Sequence, residues 1–203
     1  MTSMLQRARG GETLTDLDII DMHGHLGRYQ FNIPDPSPAA LVAVMDRIGV
    51  RMIVCSHMSC LQGGVERGNQ AVLEAIRAHP GRIAGYVTLW PSSADDVRAE
   101  AQRRLAEGFI GVKLHNINGF AYTDPAYAPA LGMANERRMP LLLHTWGKDE
   151  EFEQVETLVR EYPEISILLA HAGASSAARA VRTARELDNV YLDPSYSLAP
   201  RGL

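Results

Sequence analysis

Apolar positions along the chain fall into seven short runs, at about 17–23, 51–55, 83–89, 109–115, 140–145, 165–171 and 190–193. Each is rich in Ile, Val or Leu and bounded by Gly, Pro, Ser or Asn, which is how a buried strand reads. Between them the apolar residues take helical spacing. Leu41, Val44, Met45 and Ile48 follow a Ser37-Pro38 start, and Gly49 closes them. Val72, Leu73 and Ile76 form a stripe between about 69 and 79, stopped by Pro80-Gly81. Val97, Ala101 and Leu105 follow Ser92 or Ser93 and end at Gly108. A further helix begins near Asp124-Pro125. Phe152, Val155, Leu158 and Val159 line one at 150–162, and the last runs over 176–187.

Strand and helix thus alternate, with a strand starting roughly every 25 to 30 residues, the βα unit of a parallel α/β protein. An open doubly wound sheet and a closed (β/α)8 barrel both accept this string. The turn after the first strand reads His-Gly-His-Leu-Gly and lacks the glycine fingerprint of a dinucleotide-binding sheet. The expectation is therefore a TIM-type (β/α)8 barrel over 17–203, preceded by a loose arm at 1–16. Seven strands in 203 residues fall short of the ~250 typical of that barrel, so the chain reads as truncated after strand seven, with no helix to follow in 197–203.

At 46% hydrophobic and 22% charged, the composition is that of an ordinary chain able to bury one sizeable core. A net charge of −4 and a pI near 6.0 offer no electrostatic footprint for nucleic acid or an anionic membrane. No apolar stretch reaches the ~18 to 20 residues of a membrane span, and the first fifteen residues lack a signal-type apolar segment, so a cytoplasmic location is expected. Cys55 and Cys60 flank His57. Free thiols are the simpler reading beside a Cys/His metal site.

The histidines carry the chemistry. His23 and His25 are two apart on a strand, so they share a face, Asp21 with them, and two adjacent imidazoles can grip one divalent ion. His144 and His171 also fall at strand ends, and His57 and His115 lie near the same level. Six of the seven histidines then sit at one rim, His79 being the exception. In a barrel that is the catalytic rim. In the fourth strand Lys113 shares the inward parity with His115. A rim salt bridge for the lysine and simple packing for Trp146 are equally good readings beside substrate contact.

The segments 20–25 (Ile-Asp-Met-His-Gly-His), 111–115 (Gly-Val-Lys-Leu-His), 143–145 (Leu-His-Thr), 169–173 (Leu-Ala-His-Ala-Gly) and 189–193 (Asn-Val-Tyr-Leu-Asp) together resemble the amidohydrolase superfamily. The likeness is to its amidohydrolase-related group, which includes aminocarboxymuconate-semialdehyde and hydroxybenzoate-type decarboxylases. The resemblance implies one divalent metal ion, Zn first with Mn or Fe as alternatives, held by His23, His25 and His144. It places His171 beside the metal as the catalytic proton carrier. Lys113, His115 and Trp146 are candidate substrate contacts on their own chemistry, since a positive charge and an aromatic wall suit a carboxylated or aromatic substrate. Members also end strand eight with an aspartate. Here Asp193 ends strand seven and reads as a supporting residue.

The resemblance thus implies an enzyme acting on a small organic molecule. The leading expectation is a hydrolase of a C–N or C–O bond that uses activated water, and the alternative is a metal-dependent decarboxylase of an aromatic or unsaturated acid. A metal-dependent nuclease is disfavoured by the acidic pI. A catalytically inactive partial barrel is the reading from another class, and its unpaired edges make a homodimer an expectation.

Overall fold

All seven apolar runs form strands in the computed structural model, which describes residues 3–30 and 32–195. The order is α1 (Met4–Arg9), β1 (Ile19–Leu26), α2 (Pro38–Ile48), β2 (Val50–His57), α3 (Val65–Ala78), β3 (Ile83–Thr88), α4 (Ala94–Ala106) and β4 (Gly111–Leu114). Then come α5 (Ala128–Glu136), β5 (Pro140–Leu143), α6 (Asp149–Glu161), β6 (Ser166–Leu169), α7 (Ala177–Glu186) and β7 (Val190–Leu192). The strands pair in parallel in sequence order from β1 to β7. In a flat sheet the outer two would stand about 29 Å apart, six spacings of ~4.8 Å. Yet His23 of β1 and Asp193, just past β7, meet at 2.6 Å. The sheet is therefore curled into most of a barrel, β7 being the last strand among the described residues. The stretch 197–203 lies outside them.

Alternation along the strands makes two apolar layers. Outward residues such as Ile53, Val87, Val112, Leu141, Leu143 and Ile167 pack with the helices in the main core. Inward residues Val54, Ala84, Tyr86, Leu142, Leu168 and Ala170 fill the barrel interior as a smaller cluster, joined by Met22, Met52 and Ile110. The side chains below the rim thus form a floor, on which polar residues at the strand ends stand.

Two helix starts follow the expected chemistry, whereas α3 begins at Val65, ahead of the expected stretch, with no side-chain cap at Gly64. Ser37 accepts from the Ala40 N–H and Ser93 from that of Asp96, and Gly49 ends α2 in the left-handed region. One stripe differs from expectation. α2 leans on β2 through Met45 with Leu41 and Val42 at the core's border, whereas Val44 and Ile48 are exposed. The N-terminal stretch carries the six-residue α1, with Arg7 paired to Glu12 and Asp16 at the surface. Cys55 and Cys60 are free and buried, and burial pushes their thiols up to about 12 and about 11, so both stay protonated.

A buried polar knot ties α3, β3 and α4. The Asn69 amide pairs both ways with the Thr88 backbone, accepting from its N–H at 3.0 Å and donating to its carbonyl at 2.9 Å. It also donates to Glu100. Glu100 in turn accepts from Arg104, which is 1% exposed and also bonds Gln70 and Glu107. A buried guanidinium is tolerated because acceptors surround it. Asn69→Ala would leave two buried backbone groups of Thr88 unpaired, so a urea melt should show a loss of about 2–4 kcal/mol. A loss below about 0.5 kcal/mol would mean that water reaches Thr88.

Candidate active site

The first strand delivers its histidines through an irregularity. Asp21 pairs with Ile53 and Gly24 with Cys55, so β1 advances three residues while β2 advances two. This extra residue turns both Met22 and His23 inward, Met22 onto the interior cluster and His23 into the site. Asp21 is left outside and exposed, with its Oδ1 accepting from the His23 N–H at 2.9 Å. The expectation that Asp21 shares the face of His23 and His25 is thus wrong, because strict alternation fails at the bulge. Gly24 faces the outer layer, where a Cβ would come within 2.6 Å of the Ile53 side chain. His25 turns inward again, its Nδ1 3.1 Å from Ser56 Oγ and its ring open to the cavity.

His115 and His144 follow β4 and β5 directly, and their rings stack with centroids 3.8 Å apart. The Tyr122 hydroxyl fixes the second of these by donating to the His144 carbonyl. His171 was expected to end a strand running to 171. Instead β6 stops at Leu169, and residues 171–174 all have positive φ, between 47° and 79°. Three of the four are not glycine, so the turn is strained. It swings the His171 ring toward the axis of the curl, 4.7 Å from His144 and 5.4 Å from His23.

Hydrogen bonds set the ring nitrogens. His171 Nδ1 donates to the Ser195 carbonyl at 2.8 Å, so in the neutral ring Nε2 carries the lone pair and lies 3.2 Å from His144 Nδ1. His23 Nδ1 donates to Asp193 Oδ2, turning its own Nε2 inward to within 3.5 Å of Lys113 Nζ. His144 Nε2 is buried with no hydrogen-bond partner among the described residues. Donor atoms of His23, His171 and Asp193 lie within 4.8 Å of one another.

Burial dominates the electrostatics. It pushes Lys113, almost fully enclosed, down to about 7, against a pull from Asp193. It lowers His115 to about 3, with the Lys113 charge adding to the effect, and holds His144 well below the ordinary histidine range. His23 is lowered too, burial outweighing its bond to Asp193. Asp193 stays far below the usual carboxylate range despite its partial burial, because His23 and Ser195 both donate to it. His23, His25, His115 and His144 are thus held toward the neutral imidazole, the form that ligates metal.

These groups open into one cavity of about 760 Å³, a size that suits a small organic ligand. His23, His25, Lys113, His115, His144, Trp146 and His171 all line it, so every site residue expected from the sequence is brought together. Met58, Leu61, Ile117 and Tyr29 add apolar wall. None of these four is marked by a motif, since wall residues are set by loop course. His57 is not part of the lining. It caps the short 3₁₀ turn Met58–Gln62 by accepting from the Ser59 N–H, and its ring packs on Gly27. Asp193 and Ser195 gain weight that the sequence did not give them, because their contact with His23 appears only once the sheet has curled.

The sequence pattern of a family described as Amidohydrolase matches residues 20–199. No curated protein matches the chain. Among solved structures, an uncharacterised TIM-barrel protein from Bordetella bronchiseptica is similar with a TM-score of 0.67 at 16% identity, over 88% of this chain and 75% of that one. A 4-oxalomesaconate hydratase from Rhodopseudomonas palustris gives 0.63 at 16%, over 87% and 74%. A 5-carboxyvanillate decarboxylase from Novosphingobium aromaticivorans, complexed with manganese and 4-hydroxy-3-methoxy-5-nitrobenzoic acid, gives 0.65 at 15%, over 85% and 70%. At these identities the likeness is one of fold, and it agrees with the barrel expected from the sequence.

Asp193→Asn tests the clasp on His23. The asparagine keeps an acceptor but loses the charge, so stability at pH 7 should fall by about 1–2 kcal/mol. Because the Asp193 pKa is depressed on folding, the parent's advantage is fully present above the ordinary carboxylate range and fades as pH falls below about 4. Thermal melts of parent and variant from pH 8 down to about pH 2 check this. A gap that widens toward low pH would contradict the assignment.

Proposed function

We propose that this chain, which belongs to the amidohydrolase family, is a metal-dependent enzyme acting on a small, planar carboxylic acid. The observation that carries the proposal is the sign of the cavity lining. Among the described residues no aspartate or glutamate lines it, whereas Lys113 and five histidines do. The one nearby carboxylate, Asp193, has both oxygens engaged, Oδ2 with His23 and Ser195 Oγ and Oδ1 with the Ser195 N–H. An anionic substrate meets no carboxylate repulsion there, and its charge would favour the protonated form of Lys113.

The residues fit a single divalent ion. Their nitrogens are kept neutral by burial, and His144 Nε2 is a buried polar atom lacking a partner among the described residues. His23, His25 and His144 would hold it, with Asp193 fixing the His23 ring through Nδ1 rather than ligating. When bound, such an ion polarises a substrate oxygen or makes water acidic enough to ionise near neutral pH. Zinc is our first choice, with manganese or iron as alternatives. Lys113, with its pKa near 7, anchors the substrate carboxylate. Trp146, Ile117, Leu61 and Met58 exclude water and offer flat apolar contact. His171, tied at Nδ1 to the Ser195 carbonyl, holds a proton at Nε2 or releases it.

The reaction this arrangement favours is loss of carbon dioxide: the electrons of the broken C–C bond remain on the ring or alkene carbon, which takes a proton from His171. Among the described residues no free carboxylate stands by as a base for water, and the similar solved structures include decarboxylases. Hydrolysis of a C–N or C–O bond, with His171 as the base, is the second reading. Carbon dioxide release from a panel of hydroxybenzoates, set against ammonia or acid release from amides and lactones, separates the two.

Four variants test the residue roles. His23→Ala, His25→Ala and His144→Ala should each abolish stoichiometric metal retention, measured by atomic emission after dialysis. His171→Asn should keep its metal while losing about 10²- to 10⁴-fold in kcat. Metal lost from His171→Asn but kept in His25→Ala would instead make His23, His171 and Asp193 the ligand set.

A further inference from the structure

Glu151 lies in the first turn of α6, outside the cavity, and is 3% exposed with no cation paired to it among the described residues. Its carboxylate is surrounded by N–H donors instead. Oε2 accepts from the backbone N–H groups of Trp146, Gly147 and Lys148 at 2.9, 2.9 and 3.1 Å. Oε1 accepts from Asn116 Nδ2 at 2.6 Å, and the Trp146 N–H lies 3.2 Å from it as well. The other end of the same Asn116 amide, Oδ1, accepts from the Trp146 indole Nε1–H at 2.8 Å.

The amide's orientation is dictated by its neighbours. A carboxylate can only accept and an indole N–H can only donate, so Nδ2 must face Glu151 and Oδ1 must face the indole. We propose that Glu151 is a positioning residue that fixes the Trp146 ring over the His144 imidazole through the Asn116 amide, and thereby sets the flat wall against which a planar substrate lies. The ring stands edge-on to His144, with centroids 4.2 Å apart. It is 46% exposed, so packing alone holds it loosely. The rest of the loop is clamped from the opposite side, where Ser175 Oγ donates to the Trp146 carbonyl and Ser176 Oγ to that of Gly147. Only the indole depends on the relay. The inference rests on the reading of Trp146 as a substrate wall, but the relay can be tested without substrate or metal, so the two can fail separately.

Exchanging an oxygen for an amide at either end makes the test. In Glu151→Gln the carbonyl can keep the three backbone donors while the new NH2 group faces Asn116. The Asn116 amide must then flip, which puts its own NH2 group against the indole N–H and leaves the indole without an acceptor. Asn116→Asp alone sets two carboxylates face to face. In Glu151→Gln/Asn116→Asp the polarity is restored along the whole chain, since the Gln amide donates to the Asp carboxylate and the carboxylate accepts from the indole. Trp146 and Trp90 are the only tryptophans, so two indole N–H resonances are expected in a ¹⁵N spectrum, and Trp90→Phe identifies them. Hydrogen exchange at the Trp146 indole should quicken about three- to tenfold in Glu151→Gln, the worth of one hydrogen bond, and return to the parent rate in the double variant. Asn116→Ala removes the acceptor without touching the backbone bonds of the loop, and should quicken exchange equally even if Glu151→Gln does not fold. Parent-like exchange in Asn116→Ala, or a double variant no better protected than Glu151→Gln, would overturn the proposal.

Discussion

A single hydrogen bond, from His23 Nδ1 to Asp193 Oδ2, spans the whole sheet. It joins β1 to the end of β7, and a flat sheet would hold those two groups about 29 Å apart. It therefore exists only because the sheet curls, and the curl is what turns separate strand-end histidines into a site. The bond also selects the His23 tautomer and aims Nε2 at Lys113 and the cavity. Fold and chemistry meet at this contact, since Asp193 stays ionised on account of the donors it receives, and His23 stays neutral on account of its burial.

Much of this was legible in the sequence, for a physical reason. The βα period, Ser37 and Ser93 as helix starts, and Gly49 as a helix stop are local signals, and each appears where expected. The strand-end histidines were legible too, because parallel strands all deliver their ends to one rim. Strict alternation through residues 21–25 was the expectation that failed. One extra residue in β1 sends Asp21 outward, and nothing in Ile-Asp-Met-His-Gly-His announces it. The end of β6 failed similarly. Residues 171–174 take left-handed conformations that Ala rarely adopts, so no propensity could have placed them.

The polar groups around the cavity divide by what surrounds them. Asn69 and Arg104 are buried where acceptors and donors balance, and they hold helices to the sheet. Glu151 has the same completeness of bonding but faces loops, so its effect reaches the cavity through the Asn116 amide and the Trp146 ring. His57 shows the converse. It stands at the rim by sequence, yet its Nδ1 caps a turn and its ring packs on Gly27, outside the cavity lining. Position along a strand nominates a residue, and the free valence of its side chain decides whether it can act.

The central claim is that His23, His25 and His144 converge on one divalent ion while Asp193 only orients His23. A crystal of the zinc-loaded protein, with anomalous scattering measured at the zinc edge, tests it most directly. The account predicts one peak about 2.0–2.1 Å from a nitrogen of each of those three histidines, with the Asp193 carboxylate still hydrogen-bonded to His23. A peak held by Asp193 and His171 with His25 and His144 turned away, or no ordered zinc in this cavity, would contradict it.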